Sequence, residues 1–242
     1  MSPRRLRSYS FVMDIFPVVH INDIAIAVDQ ATLAIAAGAD GVYLIHHGGD
    51  ASFVFKVFEL VTAANPGVFV GVNLLGYSTL GALSEIVDGL ASGNLTCAPG
   101  GLWSDDIRSD MDPFSAMNFK RSVEALLPVW ILGGVAFKYT QTFTEDPRAA
   151  RLETLALNDA VDVITTSGAG TGRPPSVDKI RAMKEAADRP LAVASGLSVH
   201  NIDQFKGLVD QVLVASSVET RPYSGVFDGR VLSAMIRKAH NA

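Results

Sequence analysis

Short apolar runs alternate along this chain with longer stretches whose apolar residues recur every three or four positions. The runs Phe16–His20, Gly41–His46, Val68–Asn73, Val163–Thr166, Leu191–Ala194 and Val212–Ala215 have few polar breaks. Strands of that kind are buried on both faces, which calls for a parallel sheet covered by helices. The intervening stretches carry helix signals. Asn22 or Asp23 can cap a helix bearing Ile24, Val28, Ala31 and Ile35, and Asp112-Pro113 and Asp146-Pro147 each place proline in a first turn. Further helices are expected over about Ser52–Ala64 and Thr79–Leu90, from Asp112 to near Leu127 and from Asp146 to about Asn158. Others should start at Ser176, Ser198 and near Asp228.

Two strands are read less directly. Leu95–Ala98 is expected as the fourth, followed by a long loop, Pro99–Met111, whose Trp103, Asp105 and Asp106 suit a lid over a ligand. Val129–Lys138 is expected as the fifth, bent or bulged at Gly133-Gly134. Eight strands then alternate with eight helices. The expected fold is a single (β/α)8 TIM barrel of the ribulose-phosphate-binding kind, over residues 16–242, after an irregular lead-in over 1–15. Closure requires Phe16–His20 to lie beside Val212–Ala215. A faint repeat supports the alternation: Asp40, Asp162 and Asp210 stand at the openings of the second, sixth and eighth strands.

The length of 242 residues, with 48% hydrophobic and 19% charged, suits one barrel better than two small domains. A net charge of −5 argues against nucleic acid or an anionic membrane as partner, and the basic cluster Arg4, Arg5, Arg7 is read as a tail. No apolar stretch is long enough for a membrane span or a secretory signal, and the lone Cys97 excludes an internal disulfide. A cytoplasmic setting and a homo-oligomer are expected.

Chemistry in this fold gathers where the strands end at their C-termini. Those ends carry His20, His46 and His47, Asn73, Asp105, Lys138, Thr166-Ser167, Ser195 and Ser216-Ser217. Lys138 follows Val135-Ala136-Phe137 and is the lysine placed to become a base, a Schiff-base former or a phosphate holder. His46 and His47 would point to opposite faces, so one alone can face the barrel axis. The candidate catalytic set is Lys138, His46, His47, Asn73 and Asp105. Small residues at the ends of the sixth, seventh and eighth strands leave backbone N–H groups open to an anion, giving Gly168, Thr171, Ser195, Gly196, Ser216 and Ser217 as the candidate phosphate-binding set. These residues single out no one cofactor. A flavin phosphate would be a variant occupant of the same site, and His20, one of His46 and His47, and Asp105 have the ligand types of a divalent-metal site.

Pro17-Val18-Val19-His20, Gly71-Val72-Asn73, Lys138, Ser167-Gly168 with Thr171-Gly172, and Ser195-Gly196 with Asn201, in that order, resemble the BtpA/SgcQ family of TIM-barrel-type proteins. That family is linked to photosystem I biogenesis in cyanobacteria and is widespread elsewhere. Two features depart from its pattern. Ile21-Asn22-Asp23 replaces a Pro-Gly-rich loop after the first strand, and His46-His47 replaces an acidic-Asn pair after the second. The residues support an enzyme acting on a phosphorylated small molecule, a sugar phosphate or nucleotide-like compound, by isomerisation, lyase chemistry or glycosyl transfer. The resemblance implies as an alternative a non-catalytic assembly or regulatory factor built on the same barrel.

Overall fold

The structure, a computed structural model, describes residues 12–110, 112–123 and 127–241. Arg4, Arg5 and Arg7, most of the lead-in, Met111 and the stretch just before Leu127 lie outside them. Eight parallel strands close into a barrel in chain order: β1 (Asp14–His20), β2 (Gly41–Ile45), β3 (Phe69–Asn73), β4 (Gly101–Ser104), β5 (Trp130–Gly134), β6 (Val163–Thr166), β7 (Leu191–Ala194) and β8 (Gln211–Val214). Closure is made where expected, with Asp14–Pro17 in register against Gln211–Val214. The helices are α1 (Ile24–Ala36), α2 (Ala51–Ala64), α3 (Thr79–Ser92), α4 (Pro113–Ser122), α5 (Pro147–Leu157), α6 (Val177–Ala186) and α7 (Gly229–His240). Their N-caps are side chains that accept first-turn N–H groups: Asp23, Asp50, Ser78, Asp112, Asp146, Ser176 and Asp228.

Four expectations are corrected. The fourth strand is Gly101–Ser104 and not Leu95–Ala98. Leu95 instead donates its N–H to the Gly89 carbonyl, folding back under α3 after Gly93 ends that helix in the left-handed region. Because the supposed loop contains a strand, Trp103 is buried in the barrel with its ring near Tyr43 and Phe137, so it is no lid. The fifth strand stops at Gly134 and carries no bulge: Gly133 and Gly134 pair in ordinary register with Ile164 and Thr165. Finally, no α-helix starts at Ser198. The Asn201 side chain accepts from the Ser198 N–H at 2.8 Å and donates to the Gly196 carbonyl at 2.9 Å, and only a 3-10 turn, Ile202–Phe205, follows. A local side-chain bond of this kind competes with helix formation.

Two cores result. The outer one lies between strands and helices, with Leu44, Val72, Ile131, Ile164 and Val212 facing Leu83, Ile180 and Met235. The inner one fills the lumen with Phe16, Val18, Tyr43, Ile45, Trp103, Leu132, Phe137, Val163 and Leu213. Tyr43 reaches across this lumen, where a Cβ on Gly71 would stand 2.2 Å from its ring and one on Gly101 2.6 Å from its hydroxyl. Two walls of the barrel are bare so that one aromatic ring can fill the middle.

Candidate active site at the barrel mouth

Strand parity decides what faces the mouth. Phe16 and Val18, Tyr43 and Ile45, and Trp103 point into the lumen. Counting on by two along each strand brings His20, His47 and Asp105 to its upper rim, and Phe69 on β3 leads in the same way to Asn73. His46 falls on the outward parity. Its ring packs 4.7 Å from Phe53 of α2, and its buried Nδ1 has no partner among the described residues. His47 is therefore the member of the pair at the mouth.

On one side of the rim Asn73 Nδ2 donates to Asp105 Oδ1 at 3.2 Å. Asp105 is set by a close approach: a Cβ on Gly134 would stand 1.8 Å from the Asp105 carbonyl, so β5 must lack a side chain there for the β4 loop to return over it. Burial raises the Asp105 carboxyl above its ordinary pKa, against the lowering effect of the Asn73 bond and of Lys138. Lys138 lies past the end of β5, after Ala136 has turned the chain at a positive φ of 48°. Burial lowers its ammonium below the ordinary lysine value, while Asp105 acts in the opposite sense. Its Nζ lies 3.5 Å from Thr171 Oγ1. A half-desolvated acid and a half-desolvated amine in electrostatic contact are the pattern of a working site. Beside them, Asn73, Trp103, Ser104, Asp105 and Asp106 line a cavity of about 160 Å³.

The opposite side of the rim is built from β1, β2 and the loop after β8. His20 Nδ1 lies 2.7 Å from Glu219 Oε1, both side chains being buried. The His47 ring is 5.2 Å and the Tyr223 ring 5.4 Å from that of His20. Burial, then repulsion from His20 and His46, keeps His47 below the ordinary histidine pKa.

Between these walls lie the small-residue ends of β6, β7 and β8. The N–H groups of Gly196, Leu197, Ser216 and Ser217 donate to no acceptor among the described residues. Ser195 holds a positive φ of 91°, and its hydroxyl accepts from the Gly172 N–H at 3.3 Å. Gly168 and Gly196 also serve packing, since a Cβ on either would meet the Arg173–Pro174 backbone at 2.3 Å. Thr171 stands over the β5 side, accepting from Lys138 and bonded to the Tyr139 hydroxyl. All four non-glycine residues with positive φ among the described residues, Ala136, Tyr139, Ser195 and Tyr223, lie in mouth loops. Backbone strain tends to collect at functional sites.

The structure brings together Lys138, Asp105 and Asn73 on one wall, sets His47 on the other, leaves Gly196, Ser216 and Ser217 with free amides between, and excludes His46. Among the described residues no cluster of three His, Cys, Asp or Glu side chains is arranged to hold a metal ion. His20, His47 and Asp105 do not converge: His20 is bonded to Glu219 and Asp105 to Asn73.

Two important residues carried no signal in the sequence. Glu219 sits in a loop past β8, where nothing in the pattern points inward. Lys179 reads as a polar position on an amphipathic helix, yet it is fully buried. Its Nζ donates to the carbonyls of Ala136 at 2.9 Å and Ser167 at 2.7 Å and lies 3.8 Å from Glu145, a long ion pair. Burial lowers its pKa to about 8. It clamps the two strand ends that present Lys138, whose N–H donates to Ser167 Oγ at 2.9 Å.

A family model described as the BtpA family matches residues 19–241. The chain belongs to the BtpA family. No curated protein matches it. Solved structures similar to this BtpA-family barrel include phosphoribosyl anthranilate isomerase from Thermus thermophilus, 16% identical, covering 93% of this chain and 98% of that one with a TM-score of 0.61. A thiamine phosphate pyrophosphorylase from Pyrococcus furiosus is 14% identical over 95% and 96% of the two chains, TM-score 0.61. A geranylgeranylglyceryl phosphate synthase from Thermoplasma acidophilum, in complex with sn-glycerol-1-phosphate, is 14% identical over 96% and 94%, TM-score 0.56. At these identities the likeness is one of fold. Among the described residues no helix is long and apolar enough to cross a membrane.

Proposed function

We propose that this BtpA-family protein is an enzyme that binds a phosphorylated small molecule at the barrel mouth. The phosphate would accept hydrogen bonds from the N–H groups of Gly196, Leu197, Ser216 and Ser217, and the reacting part would extend toward Lys138 and Asp105. The carrying observation is that these amides have no partner among the described residues, at the strand ends where barrels of this type commonly hold phosphate. The helix after β8 begins only at Gly229 and its first turn is capped by Asp228, so the loop amides and not a helix N-terminus would do the binding. Phosphorylated compounds named for the similar structures agree with this class of ligand. A non-catalytic assembly factor has no need of a desolvated amine facing a desolvated carboxyl, and that pair favours the enzyme.

Lys138 and Asp105 fit proton transfer or, for Lys138, charge stabilisation at the substrate, with Asn73 orienting the carboxyl. Titration of the ¹⁵N-labelled protein with inorganic phosphate and with ribose 5-phosphate tests the binding site. The amide signals of Gly196, Leu197, Ser216 and Ser217 should shift together. Shifts confined to other parts of the molecule would overturn the assignment.

A further inference from the structure

The wall opposite Lys138 holds a second arrangement with its own chemistry. His20 Nδ1 is held at 2.7 Å by Glu219 Oε1, which also accepts the Gly225 N–H at 3.1 Å. Gly225 is pressed against the end of β1, a Cβ there standing 2.5 Å from the His20 carbonyl, so the loop that carries Glu219 is seated directly on His20. The other carboxylate oxygen, Oε2, is buried without a partner among the described residues. His20 Nε2, in contrast, has no hydrogen-bond partner among the described residues and is not sealed from solvent, so it opens to the mouth. The exposed rings of His47 and Tyr223 pack against that of His20 and, 5.7 Å apart, against each other, their planes nearly perpendicular at 85°. A carboxylate that holds one imidazole nitrogen fixes the tautomer and leaves the other nitrogen free to take or give a proton.

We infer that His20 is a proton-transfer residue of the mouth, with Glu219 as its positioning residue, acting on the carbon beside the carbonyl of a phosphorylated sugar. The inference rests on the phosphate reading above. Because β8 and β1 are neighbours in the barrel, a ligand anchored by its phosphate at Gly196 and Ser216–Ser217 lies beside His20 as it extends across the mouth toward Lys138 and Asp105. In the step, Nε2 takes the proton from the carbon beside the carbonyl. The C–H electron pair becomes the second bond of an enediol, and the carbonyl π pair moves to oxygen, which takes a proton from solvent. Return of the imidazolium proton to the former carbonyl carbon, as the hydroxyl on the carbon first deprotonated gives its proton to solvent and becomes the new carbonyl, yields the isomer. Nothing is oxidised or reduced beyond the internal shift, and no co-reactant is consumed.

The test is hydrogen exchange between solvent and ribulose 5-phosphate, followed by proton NMR with the full chain in D₂O. The wild type should wash deuterium into the carbon beside the carbonyl. His20→Gln should slow this by about 10²–10⁴-fold while phosphate-induced shifts at Ser216 and Ser217 persist, the latter showing an intact barrel. Glu219→Gln should slow exchange and move the neutral His20 proton between ring nitrogens, read from long-range ¹H–¹⁵N spectra, and Glu219→Asp should restore part of both. Binding of the sugar phosphate with no exchange by the wild type, or full exchange by His20→Gln, overturns the role of His20 and leaves the phosphate site standing. Failure of the probe to bind at Ser216–Ser217 overturns both.

Discussion

Lys138 and Asp105 differ from ordinary surface residues in that burial acts on both, and in opposite directions. The carboxyl is pushed up and the ammonium down. If turnover needs Asp105 ionised and Lys138 protonated, activity rises through the raised carboxyl pKa and falls through the lowered amine pKa, a narrower bell than free side chains would give. Asn73→Ala removes a bond that favours the ionised carboxylate, so the acid limb should move to higher pH with the alkaline limb unchanged. A pH–rate profile in which both limbs move, or neither, would contradict this assignment. Lys138→Met should lower kcat by about 10²–10⁴-fold if the amine transfers a proton, and should mainly raise KM if it only holds charge. Lys179 makes a separate prediction. Its folded-state pKa, about 8, lies below the ordinary lysine value of 10.5, so between those values the unfolded chain binds more protons than the native one. Stability relative to Lys179→Met should therefore rise with pH across that window, by up to about 1.4 kcal/mol per pH unit, and be flat below it. Urea denaturation from pH 6 to 10 checks the sign.

At the scale of elements, most of the barrel could be read from the chain because each strand is an apolar run ending in a cap signal. The faint aspartate repeat was visible but not its purpose. Asp40, Asp162 and Asp210 each accept, through one carboxylate oxygen, the N–H of the residue opening the previous strand or next to it: Ile15, Ile131 and Leu191. Each returns its own N–H to the carbonyl of that same residue. Each carboxylate also meets a basic side chain from a nearby helix, His240, Lys120 or Lys184. The repeat is a staple at the bottom of the barrel, away from the chemistry, where recurring residues serve stability. Asp162→Ala should cost about 1–3 kcal/mol, since it leaves a strand-opening amide and Lys120 without their acceptor, and should leave phosphate binding intact. The missed strand has the reverse cause. Gly100-Gly101 and Gly133-Gly134 look like turns in sequence, but their lack of side chains answers distant groups, Phe69, Tyr43, Val161 and the Asp105 carbonyl. Local propensity cannot report contacts made across the barrel. For the same reason the free amides of the mouth could be located from their small residues, whereas Glu219 and Lys179, placed by tertiary contacts alone, could not.

For the whole molecule, the lumen is the shared element that makes eight strands one structure, and its filling is unusually dependent on one ring. Phe16, Tyr43, Trp103 and Phe137 form a chain of aromatic contacts through it, at centroid separations of 5.8, 6.3 and 6.3 Å. Tyr43 occupies its place only because β3 and β4 present Gly71 and Gly101. Those glycines have nothing with which to fill the space if the ring is removed, and a closed barrel cannot shrink without changing strand register. Tyr43→Ala should therefore fall at the upper end for core truncations, about 3–5 kcal/mol by urea denaturation, with loss of near-ultraviolet circular dichroism from Trp103. Tyr43→Phe keeps the ring and should cost far less. The damage should also reach the function, because Trp103 and Asp105 lie on the same strand face and a relaxed β4 would carry the carboxylate away from Lys138. A Tyr43→Ala protein that kept both its stability and its Asp105-dependent pH profile would show that the lumen does not support the mouth.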